Sequence, residues 1–274
     1  MAGIGDQTLS VGIAGLGAIG GVVARRLDAG LHGLTLTAAA SGRRDAAVAR
    51  VATLAHPPPI VTPERLAELC DIIVECAPPA AFMSIARPAM AAGRTLITVS
   101  GAAILANPDI IPFAERNGGR IVLATGALLG FDAVRAAAEG VIHSVRMVTR
   151  KPPRSLAAAR YVVENNIDLS GLTEPLRLFA GNAREGARLF PTNVNVAAAL
   201  GLAGIGPDRT ELEIWADPAK TRNCHSITVD ADSACFTLEI ENVPSEENPG
   251  TGRITALSLI AALRGLTAPF RVGS

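Results

Sequence analysis

The chain has 274 residues, enough for two domains or one large one, and 49% of them are hydrophobic, which predicts a sizeable core. Its 25 basic and 25 acidic side chains cancel and its pI is about 6.9, a balance that favours neither nucleic acid nor an anionic membrane as a partner. No charge-free apolar run reaches the length of a transmembrane helix, Asp6 stands where a secretory signal would carry basic residues, and four cysteines without C-x-x-C spacing fit a reduced, cytoplasmic chain better than a disulfide scaffold or a zinc site.

The chain opens with a short apolar strand, 9–14, that runs into a G-x-G-x-x-G turn and an Ala/Val/Leu-rich helix, 19–27. Gly15 permits the tight turn, Gly17 lets the backbone approach a pyrophosphate, and Gly20 lets the helix pack on the strand. The N–H groups of Ala18, Ile19 and Gly20 then face the phosphates with the positive end of the helix dipole. The alternative is an ordinary strand–turn–helix with glycines for packing. Continuous apolar runs at 34–39, 71–76, 95–99 and 120–124 read as further strands covered on both faces. Helices fit between them at 63–69 behind a Thr62 cap, at 80–91 and at 110–116. Alternating strand and helix predict an α/β, doubly wound parallel sheet of the Rossmann type over residues 1–127.

At the tip of the second strand, where an acid commonly binds the ribose 2′-OH, the chain reads Ser41-Gly42-Arg43-Arg44. A hydroxyl and two guanidinium groups suit a 2′-phosphate, so NADP is expected alongside NAD; a solvated loop is the alternative. Ala77, before Pro78 and Pro79, follows the 71–76 strand at the edge where ligands bind and is expected to border the cofactor. Small residues at 100–102 and 125–127 leave room there for nicotinamide and substrate.

After Gly126 the texture changes to alternating strands, 141–149 and 235–241, and helical stretches, 155–164 and 193–201. This predicts an α+β second domain over 128–250 for substrate and dimerisation. A last helix, 251–266, within the segment 251–274, gathers Ile254, Leu257, Leu259, Ile260 and Leu263 on one face and is expected to return toward the first domain.

Of four histidines, His32 and His56 fall in loops and His143 in an alternating strand. His225 stands in Arg222-Asn223-Cys224-His225; if extended, this places Asn223 and His225 on one face. Asn193 and Asn195 precede an apolar helical run, as caps or as carboxamide-binding groups. Arg150, Lys151 and Arg222 are cations at strand ends, able to grip a dicarboxylate or simply solvated. Lys151 and Lys220 are the only lysines in a chain that otherwise uses arginine.

GLGAIG at 15–20, SGAA at 100–103, TRKPP at 149–153, FPTNVNVAAALGLAG at 190–204, ADPAKTRNCHSI at 216–227 and ENVPSEENPGT at 241–251 run in order along the chain. Together they resemble the L-aspartate dehydrogenase family. The resemblance implies a Rossmann domain plus an α/β domain, and oxidative deamination of L-aspartate with NAD or NADP. It places the catalytic histidine at His225, the cofactor-contacting small residue at Ala127 and the cofactor-contacting asparagine at Asn195, with Asn193 as the fallback. Gly250-Thr251-Gly252-Arg253 departs from the more polar run expected after Asn248-Pro249. The competing readings are a homoserine- or dihydrodipicolinate-type dehydrogenase and a non-catalytic NAD(P)-binding regulator. A homodimer is expected by analogy with dehydrogenases of this size.

Overall fold

The computed structural model describes residues 8–128, 130–248 and 250–273; Pro249 and the segment before Thr8 lie outside them. The chain forms two compact units. The first comprises 8–100, 107–124 and 256–272, and the second comprises 101–106, 125–255 and Gly273.

The first unit begins with β1 (Leu9–Ala14), α1 (Ala18–Asp28), β2 (Leu34–Ala40), α2 (Arg44–Val51) and α3 (Pro63–Leu69). It continues through β3 (Ile72–Glu75), a 3₁₀ turn at Pro79–Ala81, α4 (Phe82–Ala91) and β4 (Thr95–Thr98). The element α5 (Gly101–Ala106) belongs to the second unit; α6 (Ile110–Arg116) and β5 (Arg120–Leu123) return to the first. The five strands form a parallel sheet in the order β2-β1-β3-β4-β5. Alternate residues of β1 explain why both faces are apolar. Val11 and Ile13 join one core with Val23 and Leu27 of α1 and Ala47 and Val51 of α2. Gly12 faces the other way, against Leu66 of α3, where a Cβ would stand 2.7 Å from Leu66 Cδ1.

The second unit adds α7 (Phe131–Ala138), β6 (Ile142–Lys151), α8 (Pro153–Leu156), α9 (Arg160–Glu164), β7 (Leu176–Asn182), α10 (Ala183–Leu189) and α11 (Asn195–Ala203). Then follow β8 (Thr210–Ala216), β9 (Asn223–Ala231) and β10 (Cys235–Asn242). The sheet order is β10-β9-β6-β8-β7, with β6 and β8 parallel and the other neighbours antiparallel. Buried and outward residues alternate along β9, the pattern of a sheet covered on one face. Finally α12 (Ile254–Thr267) carries the chain back: Leu259 and Leu263 are fully buried in the core of the first unit.

Three expectations are corrected. The helix expected over 155–164 is two short helices, because Ala159 adopts an extended conformation between them. The helix expected from 193 starts at Asn195, so Asn193 lies in the preceding turn. The strand expected to end at Thr149 extends through Lys151, which pairs with Ala216 of β8. The helices α2, α5, α7 and α10 and the strands β7 and β8 were not legible in the periodicity. No helix among the described residues is long and apolar enough to cross a membrane.

Candidate active site

In the first unit the carboxyl ends of β1, β2 and β3 are tied together. Gly15 N donates to Ala40 O (2.8 Å), and Cys76 N donates to Ala14 O (2.8 Å). Gly15 has φ +98°, and a Cβ on it would lie 2.7 Å from the Cys76 carbonyl. Gly20 is tighter still: a Cβ on it would collide with Gly15 O. Gly17 differs from both, with nothing within 4 Å of its Cβ direction. It is the N-cap of α1 and makes no side-chain cap, and no acid stands in the first turn. The N–H groups of Ala18, Ile19 and Gly20 are therefore left for an anion at the open face of Gly17. These features fit a dinucleotide pyrophosphate.

Two devices, one half-buried and one fully buried, hold this edge, and neither was visible in the sequence. Arg50 of α2 donates to Gly17 O (3.0 Å) and lies against Gly21, whose Cβ would stand 2.6 Å from Arg50 Nη1. Glu75 is fully buried at the end of β3. Its carboxyl accepts from Ala77 N (2.8 Å) and from Thr98 Oγ1 (2.6 Å), which fixes the Ala77 turn. Burial pushes the Glu75 carboxyl up, against the hydrogen bonds that pull it down. At the tip of β2, Ser41 Oγ accepts from Arg43 N (3.2 Å), and the Arg43 and Arg44 side chains are exposed.

In the second unit the register decides which polar groups meet. Thr149 of β6 pairs with His225 of β9, and Arg150 pairs with Cys224. Thr149 and Lys151 thus share the helix-covered face with Asn223 and His225, and all four are buried. The Thr149 hydroxyl and His225 Nδ1 lie 3.1 Å apart. Lys151 Nζ donates to Asn193 O (2.9 Å). Burial lowers the Lys151 ammonium to about 8. Burial first, and then the charge of Lys151, lower the His225 imidazole to about 3. The ring is neutral at physiological pH, with Nδ1 engaged by a hydroxyl.

The other candidates fall into two groups. Asn195 Oδ1 accepts from Ala102 N (3.1 Å) at the start of α5, and its Nδ2 makes no hydrogen bond among the described residues. Ala127 lies in the turn before α7, and its carbonyl accepts from Asn242 Nδ2 (3.0 Å). Asn223 Nδ2 donates to Gly250 O (3.3 Å). Arg222 is exposed just outside β9 and is not gathered with the buried four. Arg150 points to the opposite face of the sheet, where it pairs with Asp217 (3.2 Å) and lies over the Trp215 ring at 4.8 Å. His32, His56 and His143 are exposed. Among the described residues no cluster of histidine, cysteine and acid side chains has the makings of a metal site, and the four cysteines are free.

A glycine-turn parallel sheet joined to a mixed-sheet unit with a buried, neutral imidazole defines the class of two-domain, dinucleotide-dependent dehydrogenases. Two family models match: the homoserine dehydrogenase NAD-binding domain over residues 15–124 and the aspartate dehydrogenase C-terminal domain over 132–266. The L-aspartate dehydrogenase of Bradyrhizobium diazoefficiens is 52% identical, covering 98% of this chain and 97% of its own. L-aspartate dehydrogenase 3 of Bordetella bronchiseptica is 50% identical, with 98% of each chain covered. The chain belongs to the aspartate dehydrogenase family. Its fold is that of the crystal structure of aspartate dehydrogenase from Thermotoga maritima, with a TM-score of 0.72 at 24% identity, covering 97% of this chain and 99% of that one.

Proposed function

We propose that this protein catalyses the oxidative deamination of L-aspartate with NAD or NADP, releasing ammonia and iminoaspartate or oxaloacetate. The observation that carries the reading is the imidazole of His225, the residue the family resemblance marks as catalytic, buried on one face with Thr149, Lys151 and Asn223 and held at Nδ1 by the Thr149 hydroxyl. Gly15, Gly17, Ala18, Ile19 and Gly20 hold the pyrophosphate, Ser41 and Arg43 the adenosine ribose end, and Ala77 the second ribose. Ala127 and Asn195 contact the cofactor in the second unit, with Asn195 offering its unengaged Nδ2 to a carboxamide. The bound nicotinamide supplies a two-electron acceptor for the hydrogen on the substrate Cα.

The chain's own work is binding and proton handling. Lys151 and Asn223 bind the substrate beside His225, with Asn193 holding Lys151 in place through its carbonyl. His225 takes a proton from the substrate ammonium or from the water that attacks the iminium. A positioned base of this kind contributes about 10²–10⁴-fold. The exposed Arg222 is an outer contact for the substrate's second carboxylate. The chain acts in the cytoplasm, where free cysteines persist, and as a homodimer.

The test is growth of absorbance at 340 nm with NAD or NADP across L-aspartate, L-homoserine and a panel of hydroxy acids. Turnover with L-aspartate alone is expected, and His225→Ala is expected to lose most of it while retaining cofactor binding. Oxidation of another substrate instead, or near-wild-type rates in the variant, would refute the assignment.

A further inference from the structure

The face that carries His225 holds positive charge and no negative one. Lys151 is 4% exposed, and its ammonium has three donors but one acceptor among the described residues, the Asn193 carbonyl. No carboxylate of the described residues stands within ion-pair distance of it. The partner of His225 Nδ1 is a neutral hydroxyl, Thr149. Its register partner on β10 is Ile240.

The acids nearby are committed elsewhere. Glu239 and Glu241 point to the other face of β10 and are exposed, Glu213 is bound by Arg146, and Asp217 is bound by Arg150. Among the helices over this sheet, α11 has no charged residue, and Arg184, Glu185 and Arg188 of α10 are exposed. A buried ammonium without a counter-charge costs stability, and a site that keeps one is shaped for an anion that arrives later.

We propose that a substrate carboxylate pairs with Lys151, and that this bound charge, rather than any acid of the protein, is what enables His225 to hold the transferred proton. The inference rests on His225 being the base. Before binding, burial first and the Lys151 charge second keep the ring neutral. A carboxylate on Lys151 removes the second of these and sets a negative charge on the same face, which favours the charged ring. The substrate N–H bond breaks, its electron pair stays on the substrate nitrogen, and the Nε2–H bond forms. In the tautomer this step requires, Nδ1–H donates to the Thr149 hydroxyl before and after the transfer, so no other group need move. The base is thereby active only when an acidic substrate is seated.

The experiment is NMR of the His225 Cε1–H resonance against pH, in the 274-residue chain saturated with reduced dinucleotide. The resonance is assigned by its loss in His225→Gln, and succinate is the probe because it has both carboxylates and no reacting amine. Without succinate, no titration is expected between pH 5 and 8. Saturating succinate is expected to bring the midpoint up into that window. In Lys151→Met, succinate is expected to bind at least about tenfold more weakly and to leave the midpoint where it was. A ring indifferent to bound succinate, an equal response in Lys151→Met, or no succinate binding to the unaltered protein would overturn the inference. If His225→Ala retains aspartate oxidation, the base assignment itself has failed, a result read independently of succinate affinity.

Discussion

At the scale of single residues, three glycines of one motif do three separate jobs, and the geometry says which substitution harms what. Gly20 packs so closely on Gly15 O that a methyl group must displace backbone, whereas Gly17 projects into open space. Gly20→Ala is therefore expected to cost stability, about 1–3 kcal/mol as for other overpacked sites, read from urea unfolding. Gly17→Ala is expected to leave stability unchanged but to raise the KM for the dinucleotide on the order of tenfold, since the methyl occupies the path of the pyrophosphate. Equal unfolding midpoints for both variants would contradict this division. The glycines were legible in the sequence as a motif. Arg50 and Glu75, which hold the same edge, were not, because each is joined to its partner by folding: Arg50 to Gly17, Glu75 to Thr98. Nothing in the residues around an arginine in a surface helix announces that it will reach a carbonyl 33 positions away.

At the scale of elements, the β6–β9 pair is the unit that makes the site. Extended strands alternate faces, so Asn223 and His225 could be placed together from the sequence. Which residues would face them depended on register, and register belongs to the pairing of two distant strands. Carrying β6 two residues further than its hydrophobic alternation suggested brings Lys151 onto that face, while Arg150 turns to the other. Burying this pair has a consequence for stability. Between about pH 3 and 6.5 the unfolded chain binds a proton at His225 that the folded chain excludes, so stability falls as pH drops through that window. For Lys151 the window is about 8 to 10.5: the unfolded chain keeps a proton that the folded chain has released, and stability rises with pH across it. Lowering the pH from 7 to 5 is expected to cost the unaltered protein about 2 kcal/mol more than His225→Gln. Thermal melts of the two proteins at both pH values measure the difference, and parallel losses would remove His225 as its source.

At the scale of the whole molecule, the open face of the second unit's sheet is the feature the single chain leaves unexplained. It carries Trp215 and Val148, each half-buried, among the Arg146–Glu213 and Arg150–Asp217 pairs. Pairing through this face would complete a second covered side, which a mixed sheet with a parallel pair favours. Light scattering is expected to give twice the 28.1 kDa chain mass, and Trp215→Glu is expected to return the single-chain mass. A single-chain mass for the unaltered protein would refute the homodimer.

The sequence by itself determined the class of each unit, the phosphate turn and the candidate imidazole, because glycine conformation, strand alternation and apolar runs act over a few residues. Only the tertiary structure decided that Lys151 rather than Arg150 or Arg222 stands with His225, and that Thr149 is the ring's partner. Those outcomes depend on strand register and on burial, which raise or lower the cost of a charge by where distant segments meet. No local pattern of residues encodes that meeting.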